Sequence, residues 1–350
     1  MLRWPLGPVV MLGFFLCGLP LGAGERVSAA DLPFWGLAFD GYPITTERLQ
    51  QEEKAAGLTA QIVVFFLQWP SPEELSGSAF PEESLDAVWS NGGVPCLTWE
   101  PMYHRDGQEV TIPAEEILGG RYDRYILEFA GRARTWGRPF LVRFAHEMNL
   151  ERYHWGTTRD RYGPESPGNY RKMFRHVVSL FRQVGARNAL WVFCPNAESV
   201  PAPSHDPSAL WNRAGHYYPG DSWVDLLGMD GYNWGTSQVR DVNGWDSRWQ
   251  GFEEIFGPLH LELQGLAPDK PIFVLETASV TAGGDRGRWL REALETAARW
   301  GLAGLVWFQV EKDCDWRIQS GGDGRHREIV PVPTRSVQEW IGDFVKRVRQ

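Results

Sequence analysis

The stretch "FLVRFAHEMN" (residues 140–149) begins as an apolar run and ends in polar chemistry. Leu141, Val142 and Phe144 are what a strand shielded on both faces carries, the mark of a parallel sheet covered by helices. Arg143 interrupts that pattern, and His146, Glu147 and Asn149 then arrive within four residues. Ionisable groups are costly to bury without partners. The apolar wall is therefore expected to stop where a cleft begins.

Working outward, similar runs recur along the chain: "FWGLAF" (34–39), "AQIVVFFLQW" (60–69), "VPCLTW" (94–99), "PFLVRFAHE" (139–147), "ALWVFCPN" (189–196), "VDLLGMDGYN" (224–233), "PIFVLETA" (271–278) and "LAGLVWFQV" (302–310). Apolar residues at helical spacing lie between them, in 45–57, 121–137, 169–185 and 286–301, each closing on glycine. A further helical pattern covers 336–350, and 207–222 is the least regular segment. Eight strands, most followed by a helix, predict an α/β fold of the (β/α)8 (TIM) barrel type. An open doubly wound sheet would want a glycine-rich phosphate turn after an early strand, and "FDGYP" (39–43) is not one. No linker or low-complexity tract follows residue 33, so a single domain is expected over 31–350.

Composition narrows the function. Hydrophobic residues make up 43% and charged residues 23%, enough for a large core. The net charge of −9, without a basic stripe, argues against nucleic acid as a partner. The 18 Trp residues suit a protein that stacks on flat sugar faces, although most are expected in the core. Arg3, an apolar run and the small residues of "VSAA" (27–30) predict a signal peptide cleaved near Ala29 or Ala30, hence secretion or periplasmic export. The alternatives are a retained anchor, disfavoured by Pro5, Pro8 and Pro20, and a lipoprotein site at Cys17, disfavoured by bulky Phe15 and Leu16. After cleavage no membrane association is expected, and the protein is read as a monomer. Cys96, Cys194 and Cys314 then remain, too few and too widely spaced for a disulfide framework, although one bridge is possible.

In such a barrel, groups at the C-terminal ends of the strands converge on one mouth. Glu147 ends the fourth predicted strand and Glu276 ends the seventh. Two carboxyl groups facing each other there can cleave a glycosidic bond, one as proton donor and one as nucleophile. Their surroundings must hold the two pKa values apart. Tyr232 could donate a hydrogen bond to Glu276, while His146 and Arg143 could orient the pair or the substrate. Trp99, Tyr153, Trp155, Tyr232, Trp234 and Trp307 fall at or just after strand ends, where rings can stack on pyranose faces. "HEMNL" (146–150) is not a zinc-binding HExxH, because residue 150 is Leu. No cofactor and no metal are expected. The glycine-rich "GGDGRHRE" (321–328) is read as a surface turn.

The motifs "VRFAHEMNLERYHWG" (142–156), "LTWEP" (97–101), "WVFCPN" (191–196), "YYPGDSWVDLLGMDGYN" (217–233), "FVLETAS" (273–279) and "DWRI" (315–318) together resemble glycoside hydrolase family 26. That is a retaining clan A family of endo-β-mannanases with some lichenases and β-1,3-xylanases. The resemblance implies Glu147 as acid/base, Glu276 as nucleophile, His146 beside the acid, Tyr232 near the nucleophile and Trp307 as a wall of the −1 subsite. It implies a polysaccharide substrate, β-1,4-mannan first and mixed-linkage β-glucan or another exopolysaccharide second. A barrel that binds carbohydrate without turnover is the competing class. The sequence departs from the family pattern at Leu150, Glu151 and Arg152, at Cys194 where Ser is more usual, and around "QVEKDC" (309–314). Both carboxylates survive these changes, which fall mostly in loops lining sugar subsites.

Overall fold

The computed structural model describes residues 32–75, 80–318 and 335–349. The predicted leader and the 321–328 turn lie outside these residues. The strands are β1 (Phe34–Phe39), β2 (Ile62–Gln68), β3 (Val94–Glu100), β4 (Met102–Arg105), β5 (Gln108–Thr111), β6 (Phe140–Phe144), β7 (Ala189–Phe193), β8 (Leu226–Asn233), β9 (Ile272–Ser279) and β10 (Gly304–Phe308). Eight of them close a parallel barrel in the order β1-β10-β9-β8-β7-β6-β3-β2. These are the eight expected strands, and the fold is a (β/α)8 barrel. β4 and β5 form a separate antiparallel hairpin just beyond the end of β3.

The helices are α1 (Thr46–Ala56), α2 (Glu82–Ser90), α3 (Ala114–Leu118), α4 (Asp123–Trp136), α5 (Ser166–Gln183), α6 (Arg240–Asn243), α7 (Phe252–Leu266), α8 (Arg286–Arg299) and α9 (Val337–Val348). Local chemistry sets several of their ends. Thr45 caps α1 and Asp285 caps α8, each accepting a backbone N–H with its side chain, and Gly57 and Gly137 close α1 and α4 in the left-handed conformation. The hairpin, α2, α3, α6 and α7 are not among the predicted elements. The irregular segment 207–222 contains two 3-10 turns, 207–212 and 214–217.

Both faces of the barrel wall are buried. Every residue of β1, β3, β6, β7, β9 and β10 is buried, which is why their sequences read as continuous apolar runs. Helix α9 lies against the N-terminal ends of the strands, its Trp340 ring 5.5 Å from Phe34 and 5.8 Å from Phe273. That end is packed with aromatic side chains, which leaves the opposite, C-terminal end for chemistry. No helix among the described residues is long and apolar enough to cross a membrane.

Candidate active site

The strand in "FLVRFAHEMN" stops at Phe144, three residues before the predicted end. Ala145 and Glu147 take left-handed backbone angles, with φ of 49° and 50°, which a strand cannot continue. The turn is pinned to its neighbours: Ala145 N donates to Trp99 O at 3.1 Å and Glu147 N to Cys194 O at 2.8 Å. Holding two non-glycine residues this way costs on the order of 1 kcal/mol or more each, and such strain persists where the surroundings over-determine it. Asn149 is one cause. Its Nδ2 reaches Asn196 O, Glu198 O and Ser199 Oγ, and its Oδ1 accepts from Asn196 N, so the loops after β6 and β7 are tied together.

Glu147 points into the mouth and is 6% exposed. Asn196 Nδ2 donates to its Oε1 at 2.6 Å. Burial, and then the negative charge of Glu276, push its carboxyl up to about 7. Glu276 lies in β9, where the register against β8 slips between Val274 and Glu276. The bulge leaves Leu275 unpaired and sets Glu276 opposite Asp230. Its Oε2 accepts from Tyr232 Oη at 2.5 Å, and its Oε1 accepts from the Arg143 guanidinium.

Arg143 is fully buried and donates to three strands. Its Nε and Nη2 reach Thr98 Oγ1 at 2.9 and 2.6 Å, and its Nη1 reaches Asp230 Oδ2 at 2.6 Å. These partners lie on β3, β8 and β9, so the guanidinium lies inside the barrel, bonded to one member of the carboxyl pair. Of the two roles expected for Arg143, it takes the first, holding Glu276 of the pair, and the expected substrate contact is corrected, since the side chain has no exposed surface. His146 is also buried, between Phe66 and Tyr153 at 5.9 and 4.8 Å. Burial and the charges of Arg143 and Arg152 hold its imidazole well below the usual range, so it is neutral.

The aromatic set divides. Tyr153 is half-buried at the rim, stacked on Trp155 at 5.1 Å and 15°. Tyr232 is half-buried against Glu276. Three other expectations are corrected. Trp99 has no exposed surface; it stacks on Phe129 of α4 at 4.5 Å and donates Nε1 to Tyr125 Oη. Strand alternation explains this: Thr98 faces Arg143 inside the barrel, so Trp99 faces the helices. Trp155 is 1% exposed and uses its Nε1 to hold the His146 carbonyl. Trp307 is fully buried, 6.1 Å from Trp289 of α8, with Nε1 donating to Trp316 O. The rings beside Tyr232 are instead Phe308 at 5.6 Å and Trp316 at 5.1 Å.

Several site residues escaped the sequence reading. Asp230 and Asn196 lie in quoted motifs but acquire roles only through partners on other strands. Glu100, at the end of β3, is a fourth buried carboxyl, 3% exposed and bonded by Gln68 Nε2 at 2.5 Å. Burial pushes it up to about 7. Its signal was available, since it directly follows the predicted strand 94–99 and lies in the motif "LTWEP" (97–101). His146, Asp230 and Glu276 bring ligand-type atoms within 4.8 Å of one another. The Arg143 guanidinium already supplies positive charge to both carboxylates of that group, so the set suits an internal cation rather than a metal.

The model of glycosyl hydrolase family 26 matches residues 122–262, which hold β6 to β8 with Arg143, Glu147, Asn196, Asp230 and Tyr232; Glu276 lies beyond it. Endoglucanase H of Acetivibrio thermocellus is 32% identical over 300 residues, covering 84% of this chain and 30% of that protein. A mannan endo-1,4-beta-mannosidase of Bacillus subtilis is 22% identical over 233 residues, 60% of each. The chain thus spans under a third of the first relative and about 60% of the second. Among solved structures, the Bacillus subtilis mannanase BCman superposes with a TM-score of 0.58 at 17% identity, covering 83% of this chain and 84% of that one. A β-mannanase from Bacteroides ovatus gives 0.53 at 18%, covering 91% and 90%. At these identities the structural likeness speaks for the barrel. With the family match, the 300-residue relative and the motifs in order along one fold, the chain belongs to glycosyl hydrolase family 26.

Proposed function

We propose that the protein is a secreted retaining endo-β-glycanase, acting first on β-1,4-mannan or a related mannose-containing polysaccharide. One observation carries the reading: the two carboxyl groups occupy unlike surroundings at one mouth. Glu147 is buried and pushed up to about 7, the state of a proton donor. Glu276 receives a cationic donor and a phenolic hydroxyl, an arrangement that orients it to attack. Glu276 attacks the anomeric carbon while Glu147 passes its proton to the departing glycosidic oxygen. The resulting glycosyl ester on Glu276 is then attacked by water, whose proton goes to the Glu147 carboxylate. Retention follows from the two inversions. The secretion part rests on the leader sequence alone.

Mixed-linkage β-glucan is the second substrate reading, supported by the likeness to a protein named Endoglucanase H. Reducing-sugar release from mannan, glucomannan, lichenan and xylan decides between the two, and binding without release from any of them defeats the catalytic reading. Azide tests the roles on an activated aryl β-glycoside. Glu147→Ala is expected to yield a β-azide and Glu276→Ala an α-azide; the reverse pattern exchanges the assignments.

A further inference from the structure

Tyr232, which bonds the Glu276 carboxylate, begins a run of rings leading away from the reacting carboxyl pair. Its ring lies 5.1 Å from Trp316, Trp316 lies 4.9 Å from Trp234, and Trp234 lies 5.8 Å from Trp245. Exposure rises along this path, from 2% at Trp316 to 43% at Trp245. Trp245 stands on the loop between β8 and α7 with two more exposed apolar side chains, Val239 (52%) and Val242 (83%). Single exposed apolar residues are ordinary on protein surfaces. Three on one short loop, continuous with a buried aromatic path to the catalytic centre, mark a contact surface.

The loop is closed on itself. Gln238 N donates to Ser247 Oγ at 2.9 Å and Ser247 N returns to Gln238 O at 3.1 Å. Arg240 N donates to Asp246 Oδ1 at 2.8 Å, and Val239 N to Asn243 Oδ1 at 3.0 Å. At its base, Thr236 N donates to Ala282 O at 3.0 Å. Gly235 makes that crossing possible: its φ is +50°, and a Cβ there would sit 1.9 Å from Ala282 O. Trp245 is therefore held out before a ligand arrives, which lowers the ordering cost of binding.

We infer that Trp245 is a distal sugar platform, stacking a pyranose of the same polysaccharide several residues from the cleaved bond. The C–H groups of a pyranose face are weakly positive against an indole π cloud. The exposed Arg240–Asp246 pair, at 3.2 Å, lies on the same loop and offers polar groups for sugar hydroxyls. This rests on the endo-glycanase reading and adds to it a residue that selects for chain length.

The test compares mannohexaose with mannotriose, or the hexamer and trimer of whichever glycan the wild type cleaves. For Trp245→Ala, the ratio of kcat/KM on hexamer to that on trimer is expected to fall roughly fivefold to tenfold, through KM, with Trp245→Phe recovering part of it. An unchanged ratio overturns the inference, whether both substrates lose activity together or neither does. If the wild type cleaves no glycan, the functional reading fails separately. Calorimetric affinity of the wild-type and Trp245→Ala proteins for mannohexaose then decides, and equal affinity or no binding overturns the platform.

Discussion

Removing the Asn196 amide should move the alkaline limb of the activity profile upward. Asn196 Nδ2 donates to Glu147 Oε1 at 2.6 Å. A donor to a carboxylate stabilises the ionised form, so it holds the Glu147 pKa below where burial and Glu276 alone would put it. A hydrogen bond to a charged group contributes about 1.5–3 kcal/mol. At about 1.4 kcal/mol per pH unit, Asn196→Ala should raise Glu147 by about one unit, from a starting point near 7, with part of the loss recovered by water. The group must be protonated to donate, so the alkaline limb of kcat/KM reports it in the free enzyme. The expected result is a limb displaced about one unit towards alkaline pH. Absolute activity falls as well, because the carboxyl loses a contact that orients it. The same substitution removes the acceptor for Glu198 N, an exposed bond, so stability should change little. A limb that stays in place or moves to lower pH, with activity still measurable, would refute the assignment of Glu147 as the titrating acid.

Other predictions follow from the same geometry. Arg143→Met strands Asp230 and Glu276 without their cation and should destabilise the fold by about 3–5 kcal/mol in urea melts; adding Asp230→Asn should restore part of this, and a simple sum of the two losses would contradict direct pairing. Glu100 is raised in the folded state, so the native form binds its proton more tightly than the unfolded chain does. Its contribution to stability is therefore full below about 4.5 and lost as pH rises towards 7, a difference of about 3 kcal/mol; Glu100→Gln should flatten the decline in Tm over that window, and an unaltered slope would refute the buried-acid assignment. Trp99→Ala should cost about 3–5 kcal/mol of stability while leaving KM for polysaccharide near its wild-type value, whereas a selective rise in KM would return Trp99 to the cleft.

By itself the sequence determined the barrel and the two carboxylates. Each parallel strand is buried on both faces, so its apolar run is visible in a window of a few residues, and a Glu that ends such a run must sit at the mouth. The segments without such a signature, the β4–β5 hairpin and helices α2 and α7, were not read. Only the tertiary structure decided which side of each strand a residue takes and whom it meets. Trp99 and Trp307 each lie one residue before the end of their strand, near the mouth as expected, yet the parity of the pleat turns both towards the helices, leaving Thr98 and Phe308 inside. The β9 bulge at Leu275 shifts that parity once more and brings Glu276 opposite Asp230. Arg143 finds Glu276 133 residues away through barrel closure, which no local pattern encodes. Burial type is a property of short segments. Partnership across the barrel depends on register and closure, which exist only once all eight strands are in place.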